Sequence, residues 1–529
     1  MSDRLWWKHG VVYQIYPRSF MDSNGDGVGD LAGIRARLDH LAWLGIDAIW
    51  LSPIFPSPMK DFGYDVSDYC DVDPLFGDLA QFDALVADAH ARGIRVMLDW
   101  VPNHTSDLHA WFRESRASRS SAKRDWYVWR DPAPGGGPPN NWAAMFGGPA
   151  WELDDRTSQY YLRSFLREQP DLNWRNPDVE RAMHGVLRFW LDRGVDGFRI
   201  DVIHRISKDP ELRANPPSDR PGPGWGGQRH VHDENHTDIH GFLKRIRGVL
   251  DEYDERAAVG EIGLEPDQVA TYYGKGDELH LAFNFALLRC RWDARAFARE
   301  LARFDAAVPA EGWPDLVLSN HDVPRHATRY DDPILGESRA RALALLLLSA
   351  RGTPFLYYGE ELGMRNGVIP PERRQDPLAW TLHPNVSRDG ERTPMHWSAE
   401  PGAGFTRSEP WLPLAADWPT RNVEAQRADR SSILWLYRDL LALRRRTAAL
   451  ERGTWRELPA PDGMLAWERR FAVSRALVAL NFAASDGSAG LPDAGVTDGV
   501  RTRAGAELPA NAADLVLGPC EAAVLVVDA

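Results

Sequence analysis

The chain has 529 residues, 43% hydrophobic and 26% charged, which suits two or three soluble domains, each with a core of its own. A net charge of −14 argues against nucleic acid and anionic membranes as partners, since both want a basic face, and leaves open an uncharged partner such as a small sugar. Three scattered cysteines, Cys70, Cys290 and Cys520, form neither a disulfide framework nor a zinc ribbon; with no apolar core in the first ten residues, the expected compartment is the cytoplasm.

Strand-like and helix-like segments then alternate. Val11–Tyr16, Ala48–Phe55 and Arg95–Val101 are short apolar runs rich in Val, Ile and Trp. Between the first two, Asp30 is placed to cap a helix with the apolar face Leu31, Ile34, Leu38 and Leu41, ended by Gly45. Asp78 to Gly93 repeats the scheme with Phe82, Leu85 and Val86. Asn176-Pro177 opens another helix and Gly194 closes it. Later strands are expected at Gly197–Ile203, Ala258–Ile262, Leu279–Phe285, Leu316–Asn320 and Pro354–Tyr358. Eight such units imply a parallel (β/α)8 barrel, and no GxGxxG or Walker A sequence argues for an open nucleotide-binding sheet.

The spacing divides the chain into a barrel over 1–104 and 174–446, a small domain over 105–173 inserted in the third βα loop, and an antiparallel β-sandwich over 447–529. A second insertion, Lys208 to His240, follows the fourth strand. Its four histidines read as a polar rim loop, because His232-Asp-Glu-Asn-His236 has its Glu in the wrong slot for a zinc motif. The 22 tryptophans suit core filling or a cleft that stacks on sugar rings.

Functional groups of a barrel belong at the C-terminal ends of its strands. Those ends carry Asp99 to His104, Arg199 and Asp201, Glu261, and Asn320-His321-Asp322. Arg199 and Asp201, two apart, share the inward face, where the cation is expected to keep Asp201 ionised; Phe198 and Ile200 face outward. Glu261 ends an apolar strand, a setting that suits a general acid. Two carboxylates flanking a bond, with a third close by, are the requirement of glycoside hydrolysis, and a separation of about 5–5.5 Å implies retention.

DWVPNH at Asp99–His104, GFRID at Gly197–Asp201, GEI at Gly260–Ile262 and NHD at Asn320–Asp322, in this order, resemble the signature regions of the α-amylase family of glycoside hydrolases. QPDLN at Gln169–Asn173, GTPFLYYGEELGM at Gly352–Met364, QIYPRSF with DSNGDGVGDL, and RDGERTPMHW at Arg388–Trp397 extend the similarity over nearly the whole chain, toward exo-acting α-glucosidases and oligo-1,6-glucosidases. His396 stands where Gln is usual. The resemblance implies Asp201 as nucleophile, Glu261 as acid/base and Asp322 as transition-state stabiliser. It implies Asp61, Tyr64, His104, Phe146, Phe165, Arg199, His321 and Arg392 around the glucose, with Asp61 and Arg392 closing its non-reducing end. Val202 after the nucleophile suggests action on α-1,6 bonds. Transfer to a sugar, or isomerisation of sucrose or trehalose, is the alternative outcome at the same site. Asp22, Asn24, Asp26, the Val28 carbonyl and Asp30 have calcium-loop spacing, with Gly33 where an EF-hand has Glu; a structural Ca2+ or Mg2+ is expected there, and no organic cofactor.

Overall fold

The computed structural model describes residues 4–383 and 385–528. Eight parallel strands form the central sheet: β1 Val12–Ile15, β2 Ala48–Leu51, β3 Arg95–Trp100, β4 Gly197–Ile200, β5 Ala257–Gly260, β6 Leu281–Ala282, β7 Asp315–Val317 and β8 Thr353–Tyr357. Each pairs with the next, and β8 pairs with β1. The one interruption lies between β6 and β7, where the Asn284 N–H donates to Asp315 Oδ1 at 3.2 Å.

The period of two in these strands decides what faces where. Val12, Ala48, Trp50, Met97, Val259, Leu281, Val317 and Phe355 fill the barrel interior. Their neighbours Tyr13, Ile49, Leu51, Val96, Leu98, Phe198 and Ile200 join the larger core beneath the helices. Gly197 has no room for a side chain: a Cβ there would sit 2.4 Å from the Ala257 carbonyl oxygen.

The helix starts follow the sequence. The Asp30 side chain accepts from Gly33 N–H, Asp78 forms a capping box with Gln81, and Asn176 accepts from Asp178 N–H ahead of Pro177. The first helix is broken, however. It runs Leu31–Ala36 and Leu38–Leu44 on either side of Arg37, whose φ of −106° and ψ of 3° interrupt the turn, and Gly45 ends it in the left-handed region. All four expected apolar residues are still buried.

Between β3 and β4 lies a three-stranded antiparallel sheet, Trp129–Arg130, Gln159–Leu162 and Trp151–Asp154. At the C-terminal end five antiparallel strands, Thr454–Leu458, Met464–Phe471, Ser474–Asn481, Ala522–Val527 and Val496–Arg501, form a second sheet. One face, with Trp467, Val478 and Val524, belongs to the main core. The other, with Leu477, Ala479 and Leu525, is covered by Leu491, Leu515 and the short Gly487–Ser488/Val516–Leu517 ladder. The covering layer is mostly loop, so the unit is a sheet with a partial second layer. The three cysteines are unpaired, and no described helix is long and apolar enough to cross a membrane.

Candidate active site

Parallel register sets Asp99 of β3 beside Arg199 of β4. The buried Arg199 guanidinium therefore meets Asp99 Oδ1 at 2.7 Å, and from the same Nη1 it meets Asp201 Oδ1 at 2.7 Å. Its Nη2 reaches Glu261 Oε2, just past β5, at 2.6 Å. One cation thus holds three carboxylates, and Asp201 and Glu261 are neighbours across it. Glu261 Oε2 also accepts from the Val202 N–H at 3.0 Å. Val202 itself has φ 35° and ψ 44°, a left-handed conformation that costs a β-branched residue energy.

Three carboxylates against one guanidinium leave a surplus of negative charge in a buried place. Burial, opposed by Arg199 and reinforced by Glu261 and Asp99, pushes Asp201 well above the usual carboxylate range. Burial likewise raises Asp99 to about 7 against the pull of Arg199. The expectation that Arg199 alone keeps Asp201 low is thus corrected. The cation is present, but desolvation and two further acids outweigh it.

Asp322, just past β7, behaves oppositely. Burial favours its neutral form, yet His321, Arg388 and Arg392 outweigh it and hold it well below the usual range. Arg388 Nη1 and Arg392 Nη2 both meet its Oδ1 at 3.0 Å. His321 is pushed down to about 3, mainly by burial. Gln14 Nε2 lies 2.8 Å from His321 Nδ1 and the Tyr64 hydroxyl 2.6 Å from Nε2, so its partners select the neutral Nε2–H tautomer. The Tyr64 and His321 rings stack at 5.4 Å, and Tyr64 donates to Asp99 Oδ2.

A cavity of about 520 Å3 gathers Asp61, Tyr64, His104, Phe146, Phe165, Asp201, Val202, Glu261 and Asp322. Phe146 and Phe165 meet edge to face at 5.3 Å, with His104 5.2 Å from Phe165. Burial lowers His104 to about 4, so it is a neutral ring. Arg392 is placed differently from expectation. It is buried behind Asp322, donating Nε–H to the His321 carbonyl at 2.7 Å. The guanidinium that pairs with Asp61 is Arg388, at 2.9 Å, and it is Arg388 that lines the cavity and also pairs with Asp376 at 2.8 Å. Arg388 opens the RDGERTPMHW motif, four residues before Arg392, so its signal lies in the sequence. His396 of the same motif is buried, with Nδ1 2.9 Å from the Arg421 carbonyl oxygen.

The Lys208–His240 insertion is more than a rim. Asn140, Asn141 and Trp142 donate to the carbonyls of Leu212, Asn215 and Arg213 at 2.8–2.9 Å, tying it to the domain between β3 and β4. It brings Trp225 and Glu234 to the cavity wall, where Glu234 pairs with Arg205 at 2.6 Å. Trp225 is the cavity's tryptophan, packed against His230 at 3.3 Å and Arg205 at 4.3 Å; most of the large buried side chains elsewhere are tryptophans filling core. The four histidines each face a different carboxylate: His230 Asp233, His232 Asp209, His236 Asp238 and His240 Glu278.

In the loop after β1, Asp22 accepts from the N–H groups of Asn24, Gly25 and Gly27 and from Thr406. Asn24 accepts from Asp26 N–H, Asp26 from Val28 N–H, and Asp30 from Ser23 and Gly33. The all-oxygen donor set suits a hard divalent cation. As arranged, its side chains close the loop through Asx turns, and no three His, Cys, Asp or Glu side chains among the described residues cluster to hold a metal.

The family described as "Alpha amylase, catalytic domain" matches residues 14–453. The chain belongs to the α-amylase family. It is a glycoside hydrolase, built on that family's barrel. It is 49% identical over 469 residues to a probable alpha-glucosidase of Rhizobium meliloti (strain 1021), covering 85% of this chain and 84% of that one. An oligo-1,6-glucosidase of Parageobacillus thermoglucosidasius is 38% identical over 525 residues, 93% of each chain. The crystal structure of an alpha-glucosyl transfer enzyme, XgtA, superposes with a TM-score of 0.92 at 43% identity, covering 99% of this chain and 100% of that one.

Proposed function

We propose that the enzyme is a retaining, exo-acting α-glucosidase that removes terminal α-linked glucose from short oligosaccharides, α-1,6-linked ones included. The carrying observation is the Arg199 bridge, which presents Asp201 and Glu261 side by side in a cavity bounded by the Asp61–Arg388 pair. A closed end admits one glucose unit, so cleavage is confined to the terminal residue.

Asp201 attacks the anomeric carbon while Glu261 gives its proton to the departing glycosidic oxygen; Glu261 then takes a proton from water as that water displaces Asp201. Glu261 Oε2 is engaged by Arg199 and Val202, which leaves Oε1 to carry the proton. Asp322, held ionised, favours the cation-like transition state, and Arg199 and His321 fix the geometry around it. Transfer to a sugar hydroxyl in place of water is the second outcome of the same intermediate. The name of the XgtA relative supports that reading.

The test is purified enzyme on maltose, isomaltose, sucrose and trehalose, with proton NMR of the first product. Release of α-glucose with isomaltose cleaved is expected; β-glucose first would end the retaining assignment, and no isomaltose cleavage would end the α-1,6 part. We further propose that Asp22, Asn24, Asp26, the Val28 carbonyl and Asp30 hold a structural Ca2+ or Mg2+. Metal analysis of the purified protein should find about one ion per chain, and EDTA should lower the Tm reversibly.

A further inference from the structure

A second cavity of about 390 Å3 adjoins the catalytic one, and Phe285 and Arg289 line both. Its lining comes from segments that follow β5 and β6, across the strand order from β2 and β8, which precede Asp61 and Arg388; a leaving group or acceptor belongs on that opposite side. Four arginines line it, Arg289, Arg291, Arg299 and Arg303, against the acids Glu265 and Glu300. This excess stands out in a chain of net charge −14.

Two of the four are already paired. Arg299 meets Glu300 at 3.0 Å, and Arg303 meets Glu265 at 3.1 Å and Asp267 at 3.2 Å. Arg289 and Arg291 are exposed and have no acidic or hydrogen-bonding side-chain partner among the described residues. In the catalytic cavity the other two arginines are committed, Arg205 to Glu234 and Arg388 to Asp61. Of the three arginines that line the catalytic cavity, Arg289 is therefore the one without an ion-pair partner among the described residues, and it lines both spaces.

An anionic substrate approaching Asp201, Glu261 and Asp322 is repelled unless its charge is met beyond them. A guanidinium offers paired N–H donors in the fork that carboxylates and phosphates accept. We propose that this groove receives the anionic end of the aglycone, so that the enzyme acts on α-glucosides, or glucosylates acceptors, carrying a carboxylate or phosphate opposite the transferred glucose. The anionic group takes no part in bond making; it anchors the group that leaves or attacks. The proposal rests on the glucosidase reading above.

The experiment compares kcat/KM on three pairs: maltose and maltobionate, isomaltose and isomaltobionate, trehalose and trehalose 6-phosphate. At low salt at least one anionic member is expected to be preferred about tenfold, with the preference shrinking as KCl is raised. In Arg289→Gln that anionic-to-neutral ratio should fall about tenfold, in Arg291→Gln by less, and Arg289→Lys should retain part of it. The first two pairs report on a carboxylate and the third on a phosphate, so the responding arm identifies the anion. Preference for the neutral member in all three pairs, or a ratio unmoved by Arg289→Gln, would overturn the proposal. Failure to cleave any of the three neutral sugars would overturn the glucosidase reading and this proposal together, and is thereby told apart from failure of the proposal alone.

Discussion

The two halves of the catalytic cavity are built by different means. The half that holds the glucose draws on the loops after β8, β2 and β3, and its charged groups are cross-tied: Arg388 alone pairs with Asp61, Asp322 and Asp376. The half beyond Glu261 draws on the loops after β4, β6 and β7, where Val202, Phe285, Leu288 and Val323 present apolar faces and an inserted segment supplies the roof. A network of buried ion pairs tolerates little change, because removing one partner strands the others. An apolar wall and a loop can be altered piece by piece. The donor sugar is thus fixed by the fold, and the acceptor is adjustable.

The largest effect expected is at the divide between the halves. Asp201→Asn should lower kcat on the order of 10^4-fold or more while circular dichroism and Tm stay near wild type; substantial residual turnover would remove Asp201 from the chemistry. Next, on the donor side, Arg388→Ala should lower kcat/KM by about 10^2-fold and stability by about 3–5 kcal/mol, because buried Asp61 and Asp376 lose their cation while Asp322 keeps only Arg392. The same losses from Arg392→Ala with Arg388→Ala mild would reverse the assignment of the closed end. On the acceptor side, Val202→Ala should leave maltose hydrolysis within a few-fold and lower the isomaltose-to-maltose ratio by about tenfold, measured as kcat/KM. An unchanged ratio would show that the side chain does not read the linkage.

The smallest effect is a pH dependence of stability from behind the donor half. Glu391, which accepts from Asn366, is pushed by burial from 4.5 to about 8, Arg392 opposing. Its folded value lies above its unfolded one, so its contribution is full below about pH 4.5 and is lost as pH climbs through about 8. Wild-type Tm should fall over that window, and Glu391→Gln should fall less; parallel curves would place the dependence elsewhere.

The donor half was legible in the sequence because strand ends and register determine it. Asp99 and Arg199 lie on strands, Asp201 and Glu261 one residue past them, and Asp322 in the turn after β7; one-residue alternation settles which strand side chains point inward. Two errors there have physical causes. Arg388 and Arg392 both touch Asp322, and only the folded loop decides which also reaches Asp61. The ionisation of Asp201 reads in the sequence from Arg199 two residues away, whereas burial and the acids Glu261 and Asp99 from two other strands raise it in the fold. The acceptor half gave little signal. Trp225 and Glu234 come from the Lys208–His240 insertion, which is tied by hydrogen bonds to residues 140–142, a long-range arrangement that no local spacing encodes.

The break in the strand ladder between β6 and β7 has a bearing on this adjustability. Phe285, Leu288 and Arg289 follow the strand on one bank, and Asn320 and Val323 follow the strand on the other, with the Asn284–Asp315 bond as the clasp between them. The Tyr330 hydroxyl, donating to the Cys290 carbonyl at 2.6 Å, adds a second side-chain link, so the banks are joined by side chains where the other strands are joined by rows of main-chain bonds. The hoop is thus stitched most sparsely on the side of the acceptor and most closely beneath the glucose.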